Sequence, residues 1–215
     1  MSNNLRKLRG RLAKPLGNSP TVRHGKPAPP VSTVRYKFDS KKSAQATAFL
    51  LRLSNNKRTK FFLVKMLYAA DRRQLRHAGF PITGAAPVSM EHGPVLSEVL
   101  DFLNGKRSDV SWKRRITPAA SDTHLVHLVG NVPDNLLSES EKQSLCLAHE
   151  IFSKMTKQQL EKYCHDNFHE WENPGKSSKP ISYEILFKEI GKPAGFAEDM
   201  EEMQKDEDHL LQLLA

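Results

Sequence analysis

Nine histidines and two cysteines are the groups in this sequence from which a metal or acid–base site would be built. The densest set is Cys164, His165, His169 and Glu170. His165 and His169 are four residues apart, so a helix places both on one face, as in the helical zinc motif H-E-x-x-H. Here the run reads His165-Asp166-Asn167-Phe168-His169: aspartate, one carbon shorter, stands where the motif has its glutamate base, and no third ligand is evident. Structural or capping roles are expected for these histidines ahead of a metal site, and neither a metal nor another cofactor is expected. His124 and His127 are three apart in a run of strand character, which puts them on opposite faces and prevents joint chelation. The motifs G-x-x-x-x-G-K-S/T, G-x-G-x-x-G and G-x-S-x-G are absent from the sequence, and neither cysteine has the setting of a nucleophile. No catalytic residue is assigned, and the expectation is a protein that is not an enzyme and acts by binding macromolecules.

A second chemistry to weigh is nucleic-acid contact, which needs cations beside an aromatic platform. Trp112 precedes Lys113, Arg114 and Arg115, and Lys106-Arg107 lies just upstream. On a β-ribbon such a group touches phosphates and stacks a base; the competing reading is a partly buried Trp anchor beside a solvated charged turn. The formal net charge is +9, unevenly spread. Residues 1–42 hold eleven Lys or Arg against one Asp, whereas 196–215 hold one Lys against seven acids. The basic character therefore belongs chiefly to an arm that includes Arg6, Arg9 and Arg11 and suits nucleic acid, an acidic partner, a membrane surface or simple solubilisation, among which charge alone does not choose.

The elements that must position these groups are mostly helices. Residues 1–36 contain five prolines, three glycines and little apolar period, a composition that does not repay the entropy of ordering. A disordered arm over 1–37 is expected, with the folded domain over 38–194. Ala44, Thr47, Ala48 and Leu51 give a helix from Ser40 to Ser54, and Phe62, Leu63, Met66, Leu67, Ala70 and Leu75 give a longer one from Thr59 to a stop at Gly79, the two packing as a hairpin. A β-like run, Pro87 to Glu91, leads to His92-Gly93-Pro94-Val95, where proline at a first helical position is expected to open a helix ending at Asn104-Gly105. Val110-Ser111-Trp112, Arg114 to Ile116 and Thr123 to Val129 are candidate strands forming a small hairpin. Capping boxes at Ser138/Glu141 and Thr156/Gln159 announce helices of roughly 138–154 and 156–168. His169 to Pro180 reads as a polar loop, Ser182 as the N-cap of a helix ending at Gly191, and 195–215 as an acidic, then leucine-rich helix that docks on the domain or waits for a partner. The fold class expected is mainly α: a compact multi-helix domain with a small β-hairpin or short sheet behind a disordered basic arm. No run approaches the roughly 18 apolar residues of a membrane span, no secretory signal is read, and the cysteines show no disulfide spacing. A cytoplasmic protein without membrane association is expected.

Part of this order is familiar. Phe61-Phe62-Leu63-Val64-Lys65-Met66-Leu67-Tyr68-Ala69-Ala70, then Gly79-Phe80-Pro81-Ile82, then His92-Gly93-Pro94-Val95-Leu96-Ser97-Glu98-Val99 resembles the SocA-like antitoxin, or Panacea, domain family. Cys164-His165, Trp171 and Ile181-Ser182 extend the resemblance, which spans about residues 42–192. Cys164 replaces a customary threonine, one extra residue precedes Trp171, and His92 stands where an aromatic often precedes Gly-Pro. The resemblance implies a bacterial or phage antitoxin that neutralises a cognate protein toxin by direct contact, with a AAA+ protease as a further partner where a member acts as a proteolytic adaptor. It points to Lys65, Tyr68, His92, Gly93, Pro94, His165 and Trp171 as partner-binding residues. The alternative, a nucleic-acid-binding regulator, uses Arg6, Arg9, Arg11, Lys113, Arg114 and Arg115.

Overall fold

The computed structural model describes residues 34–113, 115–119 and 122–214; the expected arm up to residue 33, with Arg6, Arg9 and Arg11, and also Arg114, lie outside them. The chain divides into Met1–Pro30 and Val31–Ala215, and the account below concerns the second unit. Helices dominate the described residues, accompanied by two small antiparallel sheets, the fold class expected from the apolar periods and caps.

Helix α1 (Ser40–Leu53) starts where the Asp39 carboxylate accepts a hydrogen bond from the Lys42 backbone N–H at 2.9 Å. Asn55 and Asn56 then take left-handed φ of 56° and 59° and turn the chain into β1 (Lys57–Thr59). Helix α2 (Lys60–Ala78) is the centre of the molecule. Leu63 to Tyr68 are buried without a break, so this helix is covered on nearly all sides rather than along one stripe. It ends at Gly79, whose φ of 80° lets its N–H reach Leu75 O. The expected α1–α2 packing is present, but α2 packs most extensively against α4 (Glu139–Phe152).

Strands β2 (Pro87–Met90) and β3 (Gly93–Leu96) form a hairpin with Pro87 opposite Leu96 and Met90 opposite Gly93. Gly-Pro-Val is thus a strand, not the helix start expected from Pro94. The reason is pairing: β3 lies at the sheet edge, where proline costs no ladder bond, and Gly93 at φ 96° closes the turn. Helix α3 (Ser97–Leu103) begins only afterwards. On the far edge of β2 lies β6 (Ser178–Pro180), a strand within the segment expected to be loop.

The second sheet has the order β1-β5-β4, with β4 (Ile116–Pro118) and β5 (Leu125–Leu128) supplying the expected hairpin. Val110-Ser111-Trp112, expected as a strand, is a turn: Asp109 Oδ1 accepts from the Ser111 and Trp112 N–H groups. Trp112 is buried, stacked on Phe102 at 4.8 Å, with its Nε1–H donating to Ser40 O at 3.0 Å.

Both capping boxes form, opening α4 and α5 (Lys157–Asn167). Ser182 caps α6 (Tyr183–Glu189), with Ile181 and Leu186 buried as a staple. Helix α7 (Phe196–Leu213) follows, seated by its first turn: Phe196 meets Phe187 edge-on at 4.9 Å, and Ala197 and Met200 are buried. Upstream of Phe38, Val34 is buried and the Tyr36 hydroxyl donates to Gly79 O at 2.6 Å, so packing extends into these residues. No helix among the described residues is long and apolar enough to cross a membrane.

Candidate functional site

Helix α2 brings Lys65 and Tyr68 to one side because residues three apart are neighbours on a helix surface. Lys65 is buried, and its Nζ donates to Pro94 O at 2.8 Å, tying the β2–β3 hairpin to α2. Burial lowers this ammonium to about 8, while nearby Cys164 and Glu161 oppose the shift. Gly93 lies directly over the lysine. A Cβ there would stand 3.0 Å from Cys164 Cβ and 3.1 Å from Lys65 Nζ, which with its positive φ makes glycine the residue that fits. The Cys164 thiol is pushed up to about 11 by burial, the opposite of what a reactive thiolate needs.

One turn further along α2, the Tyr68 hydroxyl donates to Glu170 Oε1 at 2.7 Å. Arg72 supplies two more donors, Nε to Oε1 at 2.7 Å and Nη2 to Oε2 at 3.2 Å. Glu170 is buried, and this fork neutralises a carboxylate that would otherwise be unstable there. Tyr68 in turn has its phenol held well above the ordinary value, by burial first and by Glu170 second. Phe168 packs between, 5.3 Å from Tyr68 and beneath the Arg72 guanidinium.

The loop after α5 is fastened to the hairpin by Trp171, whose Nε1–H donates to Met90 O at 2.8 Å. The indole carries the His165 ring in a parallel stack at 4.0 Å. At the hairpin tip, exposed His92 places Nδ1 2.9 Å from Glu161 Oε1, and this hydrogen bond holds the Glu161 carboxyl below its usual range.

The seven residues singled out in the sequence are therefore one connected cluster across α2, the β2–β3 hairpin, α5 and the following loop. They divide by exposure. Lys65, Tyr68, Gly93 and Pro94 are buried and build the platform; His165 and Trp171 are half-buried and His92 is exposed. Beside His92 opens an apolar cleft of about 250 Å³, walled by Phe61, Val64, Met90, Val95 and Leu100 and rimmed by Lys60 and Lys176. Sequence reasoning missed Arg72, Glu161 and the burial of Glu170. It also missed Asp71, whose Oδ1 accepts from the Ile82 and Thr83 N–H groups and whose carboxyl is pushed up to about 7 by burial. Arg72 follows Tyr68 by four residues, a spacing visible in the sequence; the burial of Glu170 leaves no local mark.

The Cys164–Glu170 cluster does not converge on a point. Cys164 faces Lys65, His165 lies on Trp171, and Glu170 is engaged by Tyr68 and Arg72. Among the described residues no group of three or more His, Cys, Asp or Glu is arranged to hold a metal ion. Of the alternative nucleic-acid set, Lys113 and Arg115 are exposed, while the stacking residue, Trp112, is buried.

In comparison with known proteins, the family model for the antitoxin SocA-like Panacea domain matches residues 63–172. The match runs from the first turn of α2 to the residue after Trp171 and contains every member of the cluster. No curated protein and no solved structure gave a match. With the family model covering just over half of its length and the buried Lys65–Gly93–Pro94 and Tyr68–Glu170 contacts inside it, the chain belongs to the SocA-like antitoxin, Panacea-domain family.

Proposed function

We propose that this protein is an antitoxin that neutralises a cognate protein toxin in the cytoplasm by direct binding. The observation that carries the reading is the family match over residues 63–172, which includes Val64, Met90, His92, Val95 and Leu100 of the apolar cleft. The cleft suits an inserted apolar side chain of the partner, the kind of central, desolvated contact that supplies most of an interface's energy. His92, Lys60 and Lys176 form its polar border, and the hydrogen bonds of Lys65 to Pro94 O and of Trp171 to Met90 O brace the hairpin that carries His92. The adaptor role is the next step in the same reading: the bound toxin is presented to a AAA+ protease.

The test is co-expression with the product of the adjacent reading frame. That product is expected to arrest growth alone and to be tolerated with this chain. His92→Ala together with Phe61→Ala, both at the cleft, is expected to weaken the complex by about tenfold or more without unfolding the protein. A neighbour that is harmless by itself, or a complex indifferent to both substitutions, defeats the proposal. Toxin half-life with and without this chain tests the adaptor step; an unchanged half-life removes it.

A further inference from the structure

Helix α7 carries an apolar stripe that runs off the end of its own docking site. Phe196, Met200, Met203, Glu207, Leu210 and Leu214 follow one another at alternating intervals of four and three residues, the spacing of a coiled-coil seam. The first part of the seam is used in cis. Met200 is buried, and Gln204 Oε1 accepts from the Arg35 N–H at 3.2 Å. From Lys205 to Leu214 every residue is exposed, with Leu210 at 58 % and Leu214 at 81 %. Leu211 and Leu213 flank the seam and widen it. Four leucines within five residues at one helix end form an apolar patch out of keeping with a helix whose other surface is this polar.

The charge around the patch says what fits it. The segment 196–215 carries seven acids and one lysine, a net −6 in a chain of net +9. Asp199 and Asp206 lie beside the seam, at positions that set partner choice in helix pairs, and Glu207 stands within it. Two parallel copies of α7 would bring Glu207 against Glu207 inside an apolar interface, a like-charge contact that disfavours self-pairing. A helix with leucines along one stripe and Lys or Arg on its flanks meets the leucines with apolar surface and the carboxylates with opposite charge.

We infer that the exposed half of α7 is a docking site for a basic amphipathic helix of a partner protein, at a surface separate from the His92 cleft. This inference does not depend on the antitoxin reading, because a partner of any function with such a helix satisfies it. The test uses the full chain and a labelled helical peptide of about three heptads, with leucine at the seam and lysine at the flanks, read by fluorescence anisotropy. The double variant Leu210→Asp, Leu214→Asp is expected to lose about tenfold in affinity for this peptide, and Glu207→Lys with Asp206→Lys to lose a similar factor while gaining affinity for the glutamate-flanked analogue. Circular dichroism of both variants should match the parent. Affinity that is unchanged in the leucine variant overturns the site, and loss in that variant without any effect of the charge reversal overturns the basic partner. Sedimentation of the chain alone is expected to give a monomer; a dimer abolished by Leu210→Asp, Leu214→Asp would assign the patch to a second copy instead.

Discussion

Lys65 is the residue whose environment is least expected from its chemistry. An ammonium within the buried run Leu63–Tyr68 of α2 is 1 % exposed and has one carbonyl, Pro94 O, as its hydrogen-bond acceptor. Burial favours its neutral form and brings it to about 8, against about 10.4 for an unfolded lysine. Between those values the unfolded chain binds more protons than the folded one, so the stability tied to Lys65 increases with pH. It is fully present above about 10.4 and is lost as pH falls through about 8. Relative to Lys65→Met, the parent protein is expected to gain up to roughly 3 kcal/mol between pH 8 and pH 10.4, read from urea midpoints of both proteins. Parallel curves would show that the ammonium is not held in a desolvated site. Sequence alone pointed to Lys65 through its family pattern, and gave no sign of its burial. Lysines are rarely buried, and no local pattern distinguishes a lysine that meets solvent from one that meets a carbonyl on a hairpin 29 positions away.

At the scale of elements, what proved legible was local. The caps at Ser138, Thr156 and Ser182 and the stop at Gly79 rest on hydrogen bonds spanning three or four residues, and all are present. Strands β1, β3 and β6 were missed because each is three or four residues long and owes its conformation to a partner distant in sequence. Pro94 read as a helix opener since its φ suits both settings; the hairpin register decided between them. That register depends on the close approach of Gly93 to α2 and α5. Gly93→Ala is expected to destabilise the fold by about 1–3 kcal/mol through strained φ and displaced neighbours. Gly130→Ala is the control, because Gly130 also has a positive φ, 71°, but a Cβ there meets nothing within 4 Å. If urea denaturation gives the two variants equal losses, the hairpin does not rest on that contact.

At the scale of the whole molecule, charge is segregated along the chain: eleven cations in residues 1–42 and seven acids in 196–215. A basic chain attracts polyanions whatever its function, so nonspecific affinity for duplex DNA is expected and carries no functional meaning until its origin is known. Within the described residues the nearest thing to a stacking platform beside cations, Trp112, is buried under Phe102 and hydrogen-bonded to Ser40. Lys113 and Arg115 thus remain as exposed charges without an aromatic partner for bases. Electrostatic contact through the arm and recognition through the folded unit make different predictions. Each phosphate neutralised adds about 0.9 to the slope of log affinity against log salt concentration. Replacing Arg6, Arg9 and Arg11 by glutamine is expected to lower that slope by up to about 2.7, whereas Lys113→Gln with Arg115→Gln is expected to leave it nearly unchanged. The measurement is a salt titration of duplex binding for the parent and both variants. The opposite ranking would move the nucleic-acid contact onto the folded unit, at the β4–β5 hairpin; the expected ranking places it in the residues that carry Arg6, Arg9 and Arg11 and leaves the folded unit without a part in it.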